Sequence, residues 1–181
     1  MEAHTAAGKL QGFAGDAVWY EAAFVVGITN AMNVVADSLD GVASFPPIDD
    51  ANAPSEVAAL FSEIRAFYDR RDLPDVFRLL AHDPSYLRDV FQTVCRAFGD
   101  RRLTRRVKEA LAFAVSVTSG SRFGATFHLD EMRRLGVTQR GVLEVLGVTQ
   151  MFSSYTKIAD TLQLESDMRD IAPPDLSPAP H

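Results

Sequence analysis

Cysteine is nearly absent from this sequence, because Cys95 is the only one in 181 residues. A single cysteine excludes an internal disulfide, a CxxC redox pair and a cysteine-based zinc cluster within the chain. An excess of positive charge is also absent, since 18 basic and 24 acidic residues give a net charge of −6. No apolar run approaches the roughly 20 residues of a membrane span, and the N-terminus lacks signal-peptide character. We therefore expect a soluble cytoplasmic protein with no nucleic-acid or membrane partner.

The residues that are present follow helical periodicity almost throughout. Hydrophobic residues make up 47% of the chain and charged residues 23%, a composition typical of globular proteins. Apolar positions recur at helical spacing from Asp16, a candidate N-cap, to residue 39, and again after Ser55, a second candidate cap. No alternating strand pattern occurs, so the sequence predicts an all-α fold. Further helices are expected at 75–83, from Ser85 to near Gly99, between Thr104 and Gly120, at 122–135 and at 138–163.

Two proline-containing segments divide the chain. Residues 41–54 hold two adjacent prolines and an acidic cluster, which predicts a linker. Residues 166–181 are also Pro-rich and are predicted to form a disordered tail. The segments 1–40 and 55–165 are then candidates for separate packing units.

An internal repeat relates the start of the chain to its second half. A step of 124 residues pairs His4 with His128, and after a one-residue gap a step of 123 pairs Glu21 with Glu144. Residues 1–40 therefore correspond to the last helices of a first unit, and residues 55–165 to one complete unit. The same step of 123 pairs Val25 with Val148, Ala36 with Ala159, Asp37 with Asp160 and Leu39 with Leu162.

The phase of this repeat leads to a hypothesis about the N-terminus. Met1 falls immediately after the first-repeat position that corresponds to Gly124. We expect the chain to be the downstream part of a longer two-unit protein or the product of an internal start, or else to take the missing helices from a partner chain. A helix pair without its own unit leaves an apolar face, which also favours a homo-oligomer.

The stretch from Leu103 to Leu162 resembles the AhpD-like alkyl hydroperoxidase and carboxymuconolactone decarboxylase family. Members carry a glutamate, eleven intervening residues, a CxxC motif, three more residues and a histidine. Here Glu109 precedes Ser121 by eleven intervening residues, Gly124 stands three after Ser121, and His128 stands four after Gly124. The spacing and the two outer residues are kept, while Ser121 and Gly124 replace the two cysteines.

The resemblance implies an AhpD-like helical fold and a site that reduces peroxides through a dithiol–disulfide cycle. In such a site the histidine exchanges a proton with a thiol and the glutamate orients the histidine. A serine hydroxyl is hardly ionised near neutral pH and cannot form a disulfide, and glycine has no side chain. The cycle therefore cannot run on the residues of this motif.

Glu109 and His128 remain candidate acid/base residues, and the repeat adds His4 as the equivalent of His128. The missing thiols favour a structural interpretation of His128, in which it satisfies a local hydrogen bond. Ser121, His128 and Glu109 also contain the residue types of a nucleophilic triad. Ser121 and His128 are about 10 Å apart if one helix holds both, which argues against that triad unless the helix starts after Ser121. Cys95 lies on a predicted apolar helix face and is expected to be an inert buried thiol.

The remaining charged and aromatic residues receive structural interpretations. The arginines of 101–106 are predicted to be a solvated helix start. His82 suits a helix C-terminus, and Phe123, Phe127, Phe152 and Tyr155 are expected in the core. The scattered histidines predict no metal site, and we expect no cofactor.

We expect, in function, a family member that has lost its redox chemistry and acts in binding or assembly. Two enzymatic alternatives stay open. An antioxidant alkyl hydroperoxidase, served by a thiol electron donor, is possible only where an upstream or partner segment supplies the cysteines. A decarboxylase-like enzyme would instead use His128 and Glu109 as acid and base. The sequence does not identify a substrate.

Overall fold

A computed structural model describes residues 17–42 and 44–164, and all secondary structure within these ranges is helical. The predicted all-α class is therefore confirmed. His4, Asp16 and the tail 166–181 lie outside the described residues. The helices are α1 (Ala17–Leu39), α2 (Ser55–Tyr68), α3 (Asp75–Leu80), α4 (Pro84–Phe98), α5 (Arg105–Ser119), α6 (Arg122–Arg134) and α7 (Gln139–Leu162), with a single 3-10 turn at Asp50–Asn52.

Short polar side chains set most of the helix starts. Thr104 caps α5 by accepting the Val107 N–H, as its sequence position predicts, and Gly120 ends that helix at a φ of +77°, where a side chain would be strained. Ser55 is not the predicted cap, because α2 already begins at Ser55 and Pro54 occupies the cap position without a side-chain hydrogen bond. Pro cannot donate a backbone N–H, so it suits the position before a first turn.

The hydrophobic core lies between α2, α3 and α4, and α1 and α5 close it. The apolar residues that recur at helical spacing after Ser55 form the inner face of α2. Val57, Leu60, Phe61 and Ile64 are buried, and Phe67 is partly buried against them. The 41–54 segment contacts this body through Asp50, whose carboxylate pairs with Arg65 at 2.7 Å and Arg78 at 3.1 Å. These two hydrogen bonds hold the pKa of Asp50 below its usual range.

Helix α1 is long and apolar enough, by length and composition alone, to cross a membrane. The expectation that no apolar run approaches that length is therefore wrong for this segment. In the structure α1 packs across α3, α4, α5 and α6. The core helix of a globular protein passes the same length and composition test. Its buried residues form one face: Val18, Val25, Thr29, Asn33 and Ala36.

Helices α5 and α6 form an antiparallel hairpin that turns at Gly120 and Ser121, and α1 lies over it. Helix α7 follows Gly136, which has a φ of +80°, and packs on α5 along its first half only. No residue of α7 is buried. The prediction that Phe152 and Tyr155 lie in the core is therefore wrong, because their side chains are 65% and 62% exposed. The division of the chain into a partial and a complete unit stays a prediction.

Candidate functional site

The α5–α6 hairpin brings together Glu109 and His128, the two outer residues of the sequence motif. Glu109 Oε2 lies 2.7 Å from Nδ1 of His128. Glu109 is fully buried and His128 is 7% exposed. The ring of His128 stacks on Phe98 at 5.7 Å and meets the edge of Phe127 at 5.2 Å. The pair is therefore a preformed hydrogen-bonded dyad in apolar surroundings.

Arg105 completes this dyad from one turn before Glu109 on α5. Its Nε donates to Glu109 Oε1 at 2.5 Å, so the two carboxylate oxygens have different partners. Its guanidinium carbon lies 4.5 Å from the ring centre of Phe67 and 5.1 Å from that of Tyr68, both cation–π distances. The prediction that the arginines of 101–106 form a solvated helix start is therefore wrong for Arg105, whose side chain is 11% exposed.

A second buried carboxylate, Glu131, lies on the other side of Arg105. Its Oε2 is 2.8 Å from Arg134 and 3.7 Å from Arg105, and its Oε1 is 3.4 Å from Arg70. The hydrogen bond to Glu131 raises the pKa of Arg134. Three guanidinium groups thus surround one carboxylate next to the dyad, a network whose charges are paired within the protein.

Ser121, at the first cysteine position of the motif, is the N-cap of α6. Its Oγ accepts the Gly124 N–H at 3.1 Å and donates to Asp37 Oδ1 at 3.1 Å. The helix does start after Ser121, as a Ser–His contact would require, but His128 bonds to Glu109 instead. The serine hydroxyl is used in holding the α6 start to α1, so no nucleophilic triad forms.

Gly124, at the second cysteine position, has no room for a side chain. A Cβ atom there would lie 2.1 Å from Asn33 Oδ1 and 2.5 Å from Ser116 Oγ. The Asn33 amide donates to Ser116 Oγ at 3.1 Å and to Ser119 Oγ at 3.2 Å. The space beside position 124 is therefore filled by an α1 side chain that is itself hydrogen-bonded to α5.

A small cavity of about 30 Å³ adjoins His128. Within the described residues, nothing hydrogen-bonds the Nε2 atom of this histidine, and the buried Thr29 Oγ1 on the cavity wall also has no partner there. A volume of this size holds about one or two water molecules. Besides His128 and Thr29, the wall is formed mainly by Met32, Asn33, Tyr68, Val76, Phe77, Val94, Phe98, Phe123, Gly124 and Phe127.

A larger open groove of about 500 Å³ lies on the outer side of Phe123 and Phe127. These two rings line both spaces and are parallel, 6.1 Å apart. They were predicted to be core residues, and both are partly buried. The groove rim carries both charge signs, from Arg70, Arg122, Asp40, Asp72, Asp75 and Asp130.

The other candidate residues lie apart from the dyad or outside the described chain. Cys95 is half-buried, and burial raises the pKa of its thiol despite the opposing charge of Arg105. His82 lies beyond the end of α3, with Nε2 2.8 Å from the Pro46 carbonyl oxygen. His4 lies outside the described residues, so its place relative to the site is not assigned. Within the described ranges, no group of three or more His, Cys, Asp and Glu side chains could hold a metal ion.

Sequence reasoning missed three residues that shape this site: Arg105, Asn33 and Asp37. Arg105 stands four residues before Glu109, which is the spacing of an intrahelical ion pair and could have singled it out from its neighbours. Asp37 belongs to VVADSL, the clearest segment of the repeat. No sequence pattern indicates a role for Asn33, because its hydrogen-bond partners are more than 80 positions away along the chain.

Comparisons with known proteins agree on the kind of fold. Residues 84–164 match the model of the carboxymuconolactone decarboxylase family. The structure is similar to the crystal structure of an alkylhydroperoxidase AhpD core from Rhodospirillum rubrum, with a TM-score of 0.66 and 27% sequence identity. That match covers 71% of this chain and 96% of the other. No curated protein matches the chain.

The family match spans Glu109, Ser121, Gly124 and His128 together with α4 to α7. Both comparisons agree with the resemblance that the motif spacing carries. The chain therefore has an AhpD-like fold, and its residues 84–164 are similar to the carboxymuconolactone decarboxylase family.

Proposed function

We propose that this chain is a non-redox member of its family that acts in binding or assembly. The observation that carries the proposal is the local structure at the two cysteine positions. Ser121 caps a helix and bonds to Asp37, and the space next to Gly124 is filled by Asn33. These contacts are those of a packed polar junction between α1, α5 and α6, and they leave no dithiol.

The only cysteine of the chain does not replace the missing pair. A dithiol cycle needs two thiols that can reach each other, and Cys95 is alone. Its thiol pKa is raised by burial, which is the opposite of the shift that activates a peroxidatic cysteine. A thiol from another chain would have to reach His128 past α1, whose Thr29 and Asn33 line the wall of the small cavity.

Acid/base catalysis by His128 and Glu109 is the second candidate, and one observation favours it. The Nε2 atom of His128 is without a partner among the described residues, while Nδ1 bonds to the carboxylate of Glu109. This is the geometry in which a carboxylate orients a catalytic histidine. Against it, the adjoining cavity of about 30 Å³ is far smaller than the roughly 300 Å³ of ordinary ligand pockets. A substrate would require Phe123 and Phe127 to separate and join the cavity to the outer groove.

The first experiment measures consumption of hydrogen peroxide and of an organic hydroperoxide with dithiothreitol as donor. It compares the natural chain with Cys95→Ala and His128→Gln, with protein-free buffer as the background. We expect all three proteins to match the background. Turnover above the background that disappears in Cys95→Ala or in His128→Gln would refute the non-redox proposal.

The second experiment tests whether Asn33 blocks the second cysteine position. Gly124→Cys should lower the midpoint of urea unfolding, because Asn33 must leave its hydrogen bonds to admit the new side chain. Asn33→Ala should reduce this penalty when the two changes are combined, which a double-mutant cycle reads as coupling. Strict additivity of the two changes would contradict the proposed blocking role.

A further inference from the structure

The small cavity beside His128 carries polar groups that the described part of the chain leaves without partners. Thr29 lines this cavity and is 1% exposed, and its Oγ1 has no hydrogen bond there. Tyr68 also lines the cavity, and its hydroxyl makes no hydrogen bond to a described residue. Because a buried hydroxyl without a partner is costly, these groups point to a ligand that bonds to them.

The side chain of Thr29 differs from those of other helical threonines in this chain. Five of these donate their hydroxyl to the carbonyl oxygen four residues earlier in the same helix: Thr93, Thr118, Thr149, Thr156 and Thr161. Such a bond satisfies a threonine hydroxyl within its own helix. Thr29 does not make it, although it lies in the middle of α1 and is more buried than any of the five. Its hydroxyl is therefore available to the cavity.

The imidazole of His128 offers the cavity a hydrogen-bond acceptor. Arg105 donates to Oε1 of Glu109, and Oε2 of Glu109 lies 2.7 Å from Nδ1 of His128. A carboxylate only accepts hydrogen bonds, so Nδ1 carries the proton and the neutral ring has its lone pair on Nε2. Glu109 is not part of the cavity wall, whereas His128 is. The ring therefore turns its Nδ1 edge away from the cavity and its Nε2 atom toward it.

The wall of the cavity selects a neutral ligand. Phe77, Phe98 and Phe127 line it, and none of the described residues in the wall carries a carboxylate or a guanidinium group. A buried ion without a counter-charge is strongly disfavoured. Burial, together with the charge of Glu109, raises the pKa of Tyr68 above its usual range, so the Tyr68 hydroxyl also stays neutral. The ligand is therefore an uncharged molecule that donates a hydrogen bond to Nε2.

From these observations we propose that the cavity holds one ordered water molecule, which donates to Nε2 of His128 and accepts from the hydroxyls of Thr29 and Tyr68. These three bonds match the roughly three that a buried water usually makes. The cavity of about 30 Å³ exceeds the roughly 15 Å³ that one water requires. Glu109, His128 and the water then form a continuous hydrogen-bonded chain that ends on α1.

The bound water defines which molecules can contact His128. A molecule that reaches Nε2 must displace the water, and it keeps the same bonds only if it supplies a neutral O–H or N–H donor. An ionised organic acid lacks this donor and is excluded from the position. The inference does not depend on the loss of redox chemistry, and its experiments read stability and the imidazole proton. It and the proposed function can therefore fail separately.

The first test compares Thr29→Val with the matched control Thr118→Val, whose exposed hydroxyl bonds only to carbonyls of its own helix. We expect Thr29→Val to lower the midpoint of urea unfolding, because the water loses one of its three partners. We expect Thr118→Val to leave the midpoint unchanged. A midpoint that is unchanged or raised in Thr29→Val would overturn the proposal, because a methyl group in place of a dry, unpartnered hydroxyl is favourable.

A double-mutant cycle tests whether the water joins Thr29 to His128, which share no direct hydrogen bond. The stability changes of Thr29→Val and His128→Gln should couple, because either change removes a partner of the same water. The changes of Thr118→Val and His128→Gln should add. Additivity in the first cycle would contradict the proposed bridge.

The last test reads the site in the natural full chain, so it does not depend on the folding of a variant. Long-range proton–nitrogen NMR spectra of the nitrogen-15-labelled protein should show the proton of His128 on Nδ1 and a hydrogen-bonded lone pair on Nε2. Water should give a cross-relaxation peak to the Thr29 methyl group. A proton on Nε2 with a bare Nδ1, or no water contact at the Thr29 methyl group, would overturn the proposal.

Discussion

Glu21 in α1 and Glu144 in α7 stand 123 residues apart and occupy the same position of the predicted internal repeat. Glu21 forms an ion pair with Lys108, a lysine with no solvent-exposed side-chain area. Glu144 pairs with Arg140 on the surface, where both side chains are more than half exposed. Four positions further along each helix the contrast recurs, since Val25 is fully buried and Val148 is 59% exposed.

The two helices show that the spacing of apolar residues specifies which face of a helix can be buried. Whether that face is buried depends on the helices that pack against it. Helix α1 lies on the α5–α6 hairpin and places Asn33 and Asp37 beside the motif residues. Helix α7 has a similar spacing of apolar residues, but these are more than half exposed in the described part of the chain: Val148, Met151, Phe152, Tyr155, Ile158 and Leu162. Matched substitutions at repeat-equivalent positions can therefore separate the effect of the pattern from the effect of the environment.

The largest difference is expected between Glu21→Gln and Glu144→Gln. Glu21→Gln removes the negative charge that compensates the buried ammonium of Lys108, whose other partner in the described part of the chain is the neutral Gly99 carbonyl. Loss of one member of a buried pair lowers the free energy of unfolding by about 3 kcal/mol or more. The exposed pair at Glu144 should contribute less than about 0.5 kcal/mol. Urea unfolding at pH 7 measures both, and equal effects would contradict the contrast between the helices.

A smaller difference is expected between Val25→Ala and Val148→Ala. Truncation of a fully buried valine removes apolar contacts and leaves a cavity, which should lower the free energy of unfolding by about 2 kcal/mol. The same truncation at the exposed Val148 should change it by less than about 0.5 kcal/mol. Urea unfolding of the two variants measures both effects. Equal losses at the two positions would contradict the contrast between the helices.

A third difference should appear between Asn33→Ala and Thr156→Ala, which the step of 123 residues also pairs. Asn33 donates two hydrogen bonds to serines of α5, and its loss leaves the buried hydroxyl of Ser116 and the exposed one of Ser119 with fewer partners. We expect a loss of about 1 to 2 kcal/mol. Thr156 bonds only to carbonyls of its own helix and is exposed, so its truncation should have almost no effect. Hydrogen exchange at the α6 start would localise the change caused by Asn33→Ala.

The pH dependence of stability should show the smallest contrast. Burial tends to raise the pKa of Glu21, but the hydrogen bond and charge of Lys108 outweigh it and hold the pKa below the ordinary value of 4.5. The folded state therefore binds this proton less readily, and the stabilisation is complete above pH 4.5 and lost as the pH falls through the lower folded pKa. Glu21→Gln should flatten the decline in stability in that acidic range, whereas Glu144→Gln should leave it as in the natural chain.

The sequence predicted the parts of the site that depend on local spacing. The turn at Gly120, the cap at Thr104 and the pairing of Glu109 with His128 all follow from residues within one hairpin. Arg105 was misassigned because four arginines between 101 and 106 look alike in sequence, and only packing against Phe67 and Tyr68 distinguishes it. The need for glycine at position 124 could not be predicted from the sequence. It arises from the Asn33 amide on α1, about 90 residues earlier in the chain.

The contact between Gly124 and Asn33 also bears on any attempt to build a dithiol into this site. A cysteine at position 124 meets the Asn33 amide, so that substitution alone should reduce stability. Loss of Asn33 alone breaks the hydrogen bonds to Ser116 and Ser119. Positions 33 and 124 therefore have to be redesigned together, although they lie on two helices about 90 residues apart in the chain.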